Sequence, residues 1–326
     1  MRVLLTDPID PQGEWVLRSH GAEIVIAPGG AADSVKRLAR EADAIIVRSR
    51  LPDDIFDFAP RVRAVTIHGS GTDLVALAAA TQHGVAVANL PGANAQSVAE
   101  YCAMAMLLLA RNVPAITSAL RHLPWDEARA LGAQAHEIAG LTAGIVGVGE
   151  VGRRLALILH GGFGMRVLGH QRRLDRMAPG IEPVALETLV AQSDFVVLSV
   201  PLTPETRYLF NRERIAALKP GAWLINVGRG AVVEEAALID ALRERRIGGA
   251  MLDVYEHYRL EPGHPLLALD NVVLTPHLAG MTRESRARMG VLAAQDTLRM
   301  LAGDAPRHFV NPEVWSRFRE RGPQDR

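Results

Sequence analysis

The sequence predicts an α/β protein with two doubly wound parallel sheets, and three observations support this prediction. The chain has 326 residues, of which 48% are hydrophobic, which is enough for two domains with cores of their own. Short apolar runs of strand length alternate regularly with helix-like segments. A glycine-rich turn near the middle of the chain stands between an apolar run and a helical pattern.

Five apolar runs define the first alternating segment. Strands are predicted at residues 3–5, 24–26, 44–47, 64–67 and 85–87, with helices at 14–19, 34–41 and 74–83. These strands are apolar throughout instead of alternating with polar residues. We therefore expect a parallel sheet that is covered on both faces.

A strongly apolar helix connects this segment to the next. Ser97 and Glu100 have capping-box spacing, which predicts that the helix begins at Ser97. Leu107 and Leu108 extend its apolar surface beyond one face, so we expect the helix to be buried between domains or subunits. The more polar residues 112–139 contain two prolines and predict one short helix and a connecting loop.

The second alternating segment begins at the glycine turn. Its strands are predicted at 143–146, 166–169, 195–199, 222–227, 249–252 and 272–275, and its helices at 186–192, 211–217 and 234–244. A long helix over 281–301 follows. This order is typical of a doubly wound dinucleotide-binding domain.

The glycine turn itself has the spacing G-x-G-x-x-G. Gly147 would let the chain turn tightly, Gly149 would let backbone approach a pyrophosphate, and Gly152 would let the helix pack on the strand. Backbone N–H groups at Glu150 and Val151 would face the anion at the helix N-terminus. Because the strand–turn–helix context is present, the motif indicates a dinucleotide site rather than a structural turn.

The residues after the next strand bear on the choice of dinucleotide. NAD sites carry Asp or Glu about 20 residues beyond the glycines, where it binds the ribose hydroxyls. Here that position is Gln171, followed by Arg172 and Arg173. An acid would repel a 2′-phosphate and paired arginines would bind it. The sequence therefore predicts NADP(H), with NAD(H) as the alternative.

Composition excludes several other classes of function. Lys plus Arg and Asp plus Glu are both 36, and the isoelectric point near 7.2 argues against nucleic acid or an anionic membrane as the main partner. The longest apolar run, residues 102–110, is too short to span a membrane. The N-terminal residues become polar too soon for a signal peptide. The single cysteine, Cys102, fits a reducing cytoplasm.

Five motifs in order carry a family resemblance. They are the glycine turn, residues 89–100, 200–206 and 226–230, and residues 274–280 with Asp253 before them. In these residues the chain resembles the D-2-hydroxyacid dehydrogenase family, which includes phosphoglycerate dehydrogenase and glyoxylate/hydroxypyruvate reductases, from about residue 45 to 290.

The resemblance implies a discontinuous domain organisation. Residues 1–92 and 282–326 would form a smaller flavodoxin-like substrate domain, and residues 93–281 a Rossmann NAD(P)-binding domain. The active site would lie in the cleft between them. The resemblance also implies a homodimer formed through the nucleotide-binding domain.

The implied reaction moves a hydride between nicotinamide and the carbinol carbon of a small 2-hydroxy acid. A proton must move with the hydride, and His277 is the expected general acid/base because histidine exchanges protons near neutral pH. Arg229 is the expected cation for the substrate carboxylate and carbonyl, since its planar fork binds such groups.

The remaining site residues follow from the same resemblance. On the substrate side they are Arg48, Ser49, Ser70, Gly71 and Asn94. Arg48 is similar to the substrate-side arginine of phosphoglycerate dehydrogenases and would suit a phosphorylated substrate. On the cofactor side they are Val200, Pro201, Thr206, Val227, Gly228, Asp253 and Gly280, with Asp253 expected to hold the nicotinamide carboxamide.

One departure from the family pattern concerns the partner of His277. The family has Glu followed by Pro five residues after its Asp, and this chain has Tyr258 and Arg259 there. Glu261-Pro262 is similar to that pair displaced by three residues. Three interpretations stay open: Glu261 reaches His277, Tyr258 binds His277, or catalysis is weak.

These alternatives leave two rival functions. A catalytically weak chain would be a nucleotide-sensing binding protein on the same fold. A formate- or phosphite-oxidising enzyme would share the fold and use a different acid partner. No metal is expected in any of these functions.

Overall fold

The computed structural model describes residues 1–27, 31–173 and 177–320, with the side chains of residues 319 and 320 left aside. The chain divides into two compact units. The first unit comprises Met1–Asn94 together with the chain from Met281 onward, and the second unit is Ala95–Gly280.

Twelve strands occur in the described residues. They are β1 (Arg2–Leu5), β2 (Glu23–Ile26), β3 (Ala44–Val47), β4 (Ala64–Ile67), β5 (Ala86–Ala88), β6 (Thr142–Val146), β7 (Arg166–His170), β8 (Glu182–Pro183), β9 (Phe195–Leu198), β10 (Trp223–Asn226), β11 (Gly249–Leu252) and β12 (Val272–Leu274).

Thirteen α-helices occur in the same residues. They are α1 (Pro11–Ser19), α2 (Ala32–Ala39), α3 (Ile55–Phe58), α4 (Leu77–Gln82), α5 (Ala95–Ala110), α6 (Val113–Ala119), α7 (Trp125–Ala130), α8 (Glu150–Leu157), α9 (Leu186–Gln192), α10 (Arg212–Ala216), α11 (Glu235–Arg243), α12 (Arg283–Leu301) and α13 (Trp315–Glu320).

The first unit contains a five-stranded parallel sheet in the order β2-β1-β3-β4-β5. This is the flavodoxin-like order. All four residues of β3 and of β4 are buried, as expected for strands covered on both faces. On one face α12 packs on α1 so closely that a Cβ on Gly13 would lie 2.6 Å from the Gly290 carbonyl carbon.

The second unit contains a seven-stranded parallel sheet in the order β12-β11-β10-β9-β6-β7-β8. The chain starts in the middle at β6, winds outward through β7 and β8, and returns to β9 to wind the other way, which is the Rossmann arrangement. One apolar core lies between the sheet and the helices α5 and α8, and another lies under α9, α10 and α11. The predicted fold class, two doubly wound parallel sheets, is confirmed.

Some local predictions were wrong. Helix α5 begins at Ala95, so Ser97 lies within its first turn and is not its N-cap. The chain already turns at residues 91–94 and enters the helix directly, and Glu100 accepts a hydrogen bond from Gln96 (2.8 Å). Residues 112–139 hold two helices, α6 and α7, and a 3-10 turn, because prolines at positions 114 and 124 stand at helix starts, where they fit.

Within the described residues no single helix is long and apolar enough to cross a membrane. The bent pair of α5 and α6 passes on length and composition alone, with a 56° bend between them.

Candidate active site

The glycine turn lies in the second unit, and the space around its three glycines differs. Gly147 has a φ of +95°, and a Cβ there would lie 2.7 Å from Cγ1 of Val200. A Cβ on Gly152 would lie 2.6 Å from the Gly147 carbonyl oxygen, so only glycine lets α8 start this close to β6. A Cβ on Gly149, by contrast, would meet nothing within 4 Å. Neighbouring atoms therefore crowd Gly147 and Gly152, whereas the space beside Gly149 is open.

A pyrophosphate would need open space of this kind beside Gly149. Gly149 is the N-cap of α8, and Glu150 and Val151 form the first turn of that helix. Their N–H groups belong to the four that a helix leaves without intrahelical partners. The residues present therefore fit the phosphates of a dinucleotide.

The residues expected to choose between NADP(H) and NAD(H) follow β7. The Gln171 side-chain amide donates to the Arg173 carbonyl oxygen (2.8 Å), and Arg172 and Arg173 are exposed. Arg172 also contributes to the electrostatics of Glu205. The pKa of Glu205 lies below its ordinary value, chiefly through a hydrogen bond with Thr203 and in smaller part through Arg172. The positive charge of Arg172, after β7, thus acts on Glu205, in the loop after β9.

The loop after β9 is closed by one hydroxyl. Thr206 Oγ1 donates to the Pro201 carbonyl oxygen and accepts from the Thr203 N–H, each at 2.7 Å. Val200, at the start of this loop, contacts the glycine turn. Val200, Pro201 and Thr206, which the sequence predicted as cofactor-binding residues, all lie in this loop.

Asn226, the last residue of β10, organises the loop that carries Arg229. It is 1% exposed, its Oδ1 accepts from the Gly228 N–H and its Nδ2 donates to the Arg229 carbonyl, both at 3.1 Å. The half-buried Arg229 donates from Nη1 to the Gly228 carbonyl oxygen (2.8 Å). Val227 continues the strand by donating to Leu198 (3.1 Å).

Asp253, directly after β11, organises the loop that carries His277. Its buried carboxylate accepts from the N–H groups of Leu278 (2.7 Å) and Ala279 (2.9 Å), and its carbonyl accepts from the N–H of His277 (2.9 Å). His277 is exposed with a φ of +55°, a conformation that costs energy for a non-glycine residue. The surrounding hydrogen bonds maintain that conformation. Gly280 follows as the last residue of the second unit.

The structure shows where Tyr258 and Glu261, the two residues considered as partners of His277, are located. The Tyr258 ring lies edge-on to the His277 ring, with centroids 6.4 Å apart. Glu261 is exposed, and its carbonyl accepts from the N–H of His264 (3.0 Å). A cavity of about 490 Å³ adjoins His277 and is lined by Tyr255, Tyr258, Arg259, Leu260, Leu274, Thr275 and Pro276.

The first unit holds the expected substrate-side residues at the carboxyl ends of its strands. The N–H groups of Arg48 and Ser49, after β3, donate to the Thr6 hydroxyl (2.8 and 3.1 Å), and the Arg48 guanidinium donates to the Pro8 carbonyl. Ser70, after β4, donates to the Leu90 carbonyl (3.3 Å). Gly71 follows Ser70, and Asn94 ends the N-terminal part of the unit.

His68, just after β4, was not predicted as a site residue. Its Nε2 is buried without a hydrogen-bond partner. Burial, and then the positive charge of Arg48, lower its pKa to about 4. The imidazole is therefore neutral at physiological pH. A histidine directly before a glycine-rich loop was the available signal.

Three further residues escaped sequence reasoning. Asn226 and Thr275 hold the loops of Arg229 and His277, and Tyr101 reaches Thr275 from α5. A polar residue ending an apolar strand could have indicated Asn226. Nothing in the sequence brings together Tyr101 and Thr275. In the described residues no group of three or more His, Cys, Asp or Glu side chains could hold a metal ion.

Arg229, Asp253 and His277 thus follow three neighbouring strands, β10, β11 and β12, at the carboxyl edge where such sheets bind ligands. Together with the glycine turn, these features define the class as a dinucleotide-binding α/β protein with a polar site at the sheet edge. Comparison with known proteins then gives the family.

Residues 103–279 match the model of the D-isomer specific 2-hydroxyacid dehydrogenase family, NAD binding domain. The chain is 34% identical over 319 residues to D-3-phosphoglycerate dehydrogenase of Methanocaldococcus jannaschii, matching 95% of this chain and 59% of that protein. It is 39% identical over 288 residues to glyoxylate reductase of Aeropyrum pernix, matching 85% of each chain. The chain therefore belongs to the D-isomer specific 2-hydroxyacid dehydrogenase family.

A solved structure supports the same placement. The NADPH-dependent glyoxylate/hydroxypyruvate reductase of Sinorhizobium meliloti, crystallised with citrate, is 29% identical, with a TM-score of 0.81 and coverage of 95% of this chain and 97% of that one. The phosphoglycerate dehydrogenase relative is longer, and this chain spans only about three fifths of it.

Proposed function

We propose that this protein is an NAD(P)-dependent oxidoreductase that interconverts a small 2-oxo acid and the D-2-hydroxy acid. The observation that carries the proposal is the placement of Arg229 and His277 on loops after β10 and β12, with β11 and the Asp253 that follows it between them. A cation for the substrate and a proton donor thereby share one sheet edge with the glycine turn.

Each residue has a chemical task in this proposal. Bound NAD(P)H supplies the hydride for the carbonyl carbon. Arg229 binds the carboxylate and polarises the carbonyl oxygen, because its guanidinium presents a fork of N–H donors. His277, in its protonated form, gives a proton to that oxygen as negative charge develops on it and becomes neutral. In the oxidative direction His277 takes the proton back from the hydroxyl.

The substrate is a compact 2-oxo acid such as glyoxylate or hydroxypyruvate. The glyoxylate reductase and glyoxylate/hydroxypyruvate reductase relatives support this class. We assign the far end of the substrate to Arg48, Ser49, Ser70, Gly71 and Asn94. Arg48 would favour phosphohydroxypyruvate, because a guanidinium pairs well with a phosphate.

NADP(H) is the cofactor we propose, with NAD(H) as the alternative. Gln171 carries no charge to repel a 2′-phosphate, and the exposed Arg172 and Arg173 can pair with it. The description of the Sinorhizobium meliloti relative as NADPH-dependent supports this choice. We assign the nicotinamide side to Asp253 and Gly280 and the remaining contacts to Val200, Pro201, Thr206, Val227 and Gly228.

We also propose a homodimer through the second unit. Seven large apolar side chains between residues 104 and 131 are at least 36% exposed: Met104, Leu107, Val113, Leu120, Leu123, Trp125 and Leu131. A second copy of this chain would cover them. Light scattering should give twice the chain mass for the unmodified protein. The control Trp15→Lys, in the first unit, should keep that mass, and Leu123→Asp should have a lower mass.

The single, buried Cys102 agrees with a cytoplasmic location, which we also propose.

Turnover tests the proposed function directly. We expect NADPH oxidation with glyoxylate, hydroxypyruvate or phosphohydroxypyruvate, and a loss of about 10²- to 10⁴-fold in kcat for His277→Ala. His160→Ala, at an exposed histidine of the same unit outside the proposed dimer surface, serves as the control. Tight NADPH binding without turnover on any of the three acids would contradict the proposal and indicate the nucleotide-sensing protein instead.

A further inference from the structure

A chain of hydrogen-bonded hydroxyl groups connects helix α5 to the loop that carries His277. The Thr275 hydroxyl donates to Oδ1 of Asp253 (2.7 Å), and the Tyr101 hydroxyl lies 2.5 Å from Thr275 Oγ1. Asp253 is 1% exposed and Tyr101 is 7% exposed. The two ends of the chain are therefore buried, whereas Thr275 between them is half-buried and borders the cavity beside His277.

Counting the protons on the hydroxyl groups shows which group donates in each of these hydrogen bonds. A hydroxyl has one proton to donate, and Thr275 donates its proton to the carboxylate of Asp253. The Tyr101 hydroxyl must then be the donor to Thr275 Oγ1. Burial raises the pKa of Tyr101 well above its ordinary value, so the phenol keeps its proton at every pH at which the protein would work.

The Asp253 carboxylate connects these hydroxyl groups to the loop that carries His277. The same Oδ1 that accepts from Thr275 also accepts the N–H of Leu278 (2.7 Å), and Oδ2 accepts the N–H of Ala279 (2.9 Å). His277 lies between these anchored residues in a conformation with positive φ. The carboxylate thus holds the chain on both sides of His277, through the Thr275 side chain before it and through two backbone N–H groups after it.

Tyr101 connects this loop to a rigid part of the second unit. It lies on α5, whose inward residues, Ala99, Cys102, Ala105 and Met106, are completely buried. Helix α5 packs against β10 and β11, the strands that precede Arg229 and Asp253. A hydroxyl on this helix is thus a fixed reference point for the loop.

We propose that Tyr101 is a positioning residue of the active site, which sets the orientation of His277 through the Thr275 hydroxyl and the Asp253 carboxylate. The proposal rests on the proposed function, since His277 must be the proton donor for its orientation to affect the rate. A tyrosine that only fills space in the core would need its ring and would not need its hydroxyl.

Tyr101→Phe removes the hydroxyl and keeps the ring. We expect its kcat to fall about three- to tenfold, the effect of one net hydrogen bond, and the pH profile of kcat to be displaced. Thr275→Val should have a similar effect and Thr275→Ser should retain activity. The double variant Tyr101→Phe/Thr275→Val should be no slower than Thr275→Val, because both substitutions break the same chain.

Tyr208→Phe is the matched control, because its hydroxyl donates to Glu256 and lies outside this chain. We expect the kcat and pH profile of this control to equal those of the unmodified protein. A Tyr101→Phe variant with unchanged kcat and pH profile would overturn the proposal, as would an equal loss in the control.

A second readout separates this proposal from the proposed function. Carbethoxylation of His277 by diethyl pyrocarbonate, followed by mass spectrometry of the peptide, reports on the imidazole without any turnover. If the unmodified protein turns over no 2-oxo acid, the proposed function has failed, and the modification rate still tests the restraint. A rate that differs between Tyr101→Phe and Tyr208→Phe supports the restraint, and equal rates refute it.

Discussion

The phenol ring of Tyr258 packs edge-on against the imidazole of His277, with 68° between the ring planes. Tyr258 is 70% exposed, so the contact lies at the edge of the second unit and borders the cavity beside His277. An aromatic ring thus occupies the sequence position at which the family pattern has a carboxylate.

Tyr258→Glu should extend reduction to higher pH. A carboxylate beside His277 favours the protonated imidazole, and reduction uses that form, so the pH at which kcat declines should rise by about one unit. The pH profiles of kcat for Tyr258→Glu and the uncharged Tyr258→Gln provide the comparison. If both profiles move equally, loss of the ring and not the added charge is responsible.

Gly149 and Gly152 should respond differently to alanine. Gly149 has a φ of −82° and open space around its Cβ position, so Gly149→Ala should fold normally and lose at least about tenfold in NADPH affinity, since the methyl group occupies the space for the pyrophosphate. Gly152→Ala must push against the Gly147 carbonyl and should lose about 1–3 kcal/mol of stability as well. Urea denaturation and NADPH titration measure the two effects. A destabilised Gly149→Ala variant would show that the open space is needed for folding.

Replacing Arg172 and Arg173 together with alanine should raise KM for NADPH about tenfold or more, because two charged contacts to a 2′-phosphate would be lost. KM for NADH should change little, since NADH lacks that phosphate. Arg243→Ala, an exposed arginine on α11, is the control for general loss of positive charge. Equal effects on NADPH and NADH would mean that these arginines do not select the cofactor.

The sequence was sufficient for the sheets and the glycine turn, because both depend on local patterns. Apolar runs such as residues 44–47 and 195–198 are buried strands. Gly147 and Gly152 have the steric constraints that their spacing indicates, and Gly149 has open space beside it. Helix starts were less predictable. The Ser97 capping box failed because a turn just before Ala95 begins the helix, and tertiary context decided between two plausible starts.

The hydrogen bonds that hold the site loops in place could not be predicted from the sequence, for a different reason. Tyr101 and Thr275 are 174 residues apart and meet through two hydroxyl groups that no periodicity distinguishes from ordinary core or loop residues. Burial also decides the state of His68, and the sequence gives no direct measure of it. The residues that perform chemistry have recognisable motifs, whereas the residues that hold them are defined by packing.

His68 should make the stability of the protein sensitive to mildly acidic pH. Its pKa falls from 6.5 to about 4 on folding, so between these values the unfolded chain binds a proton that the folded protein does not. Stability is therefore retained above pH 6.5 and declines as the pH falls toward 4. The contribution of this one group between neutral pH and about pH 5 is about 2 kcal/mol. Urea denaturation at both pH values measures the decline, which should be smaller in His68→Asn and unchanged in His122→Asn. A decline of equal size in all three proteins would assign the acid sensitivity to other groups.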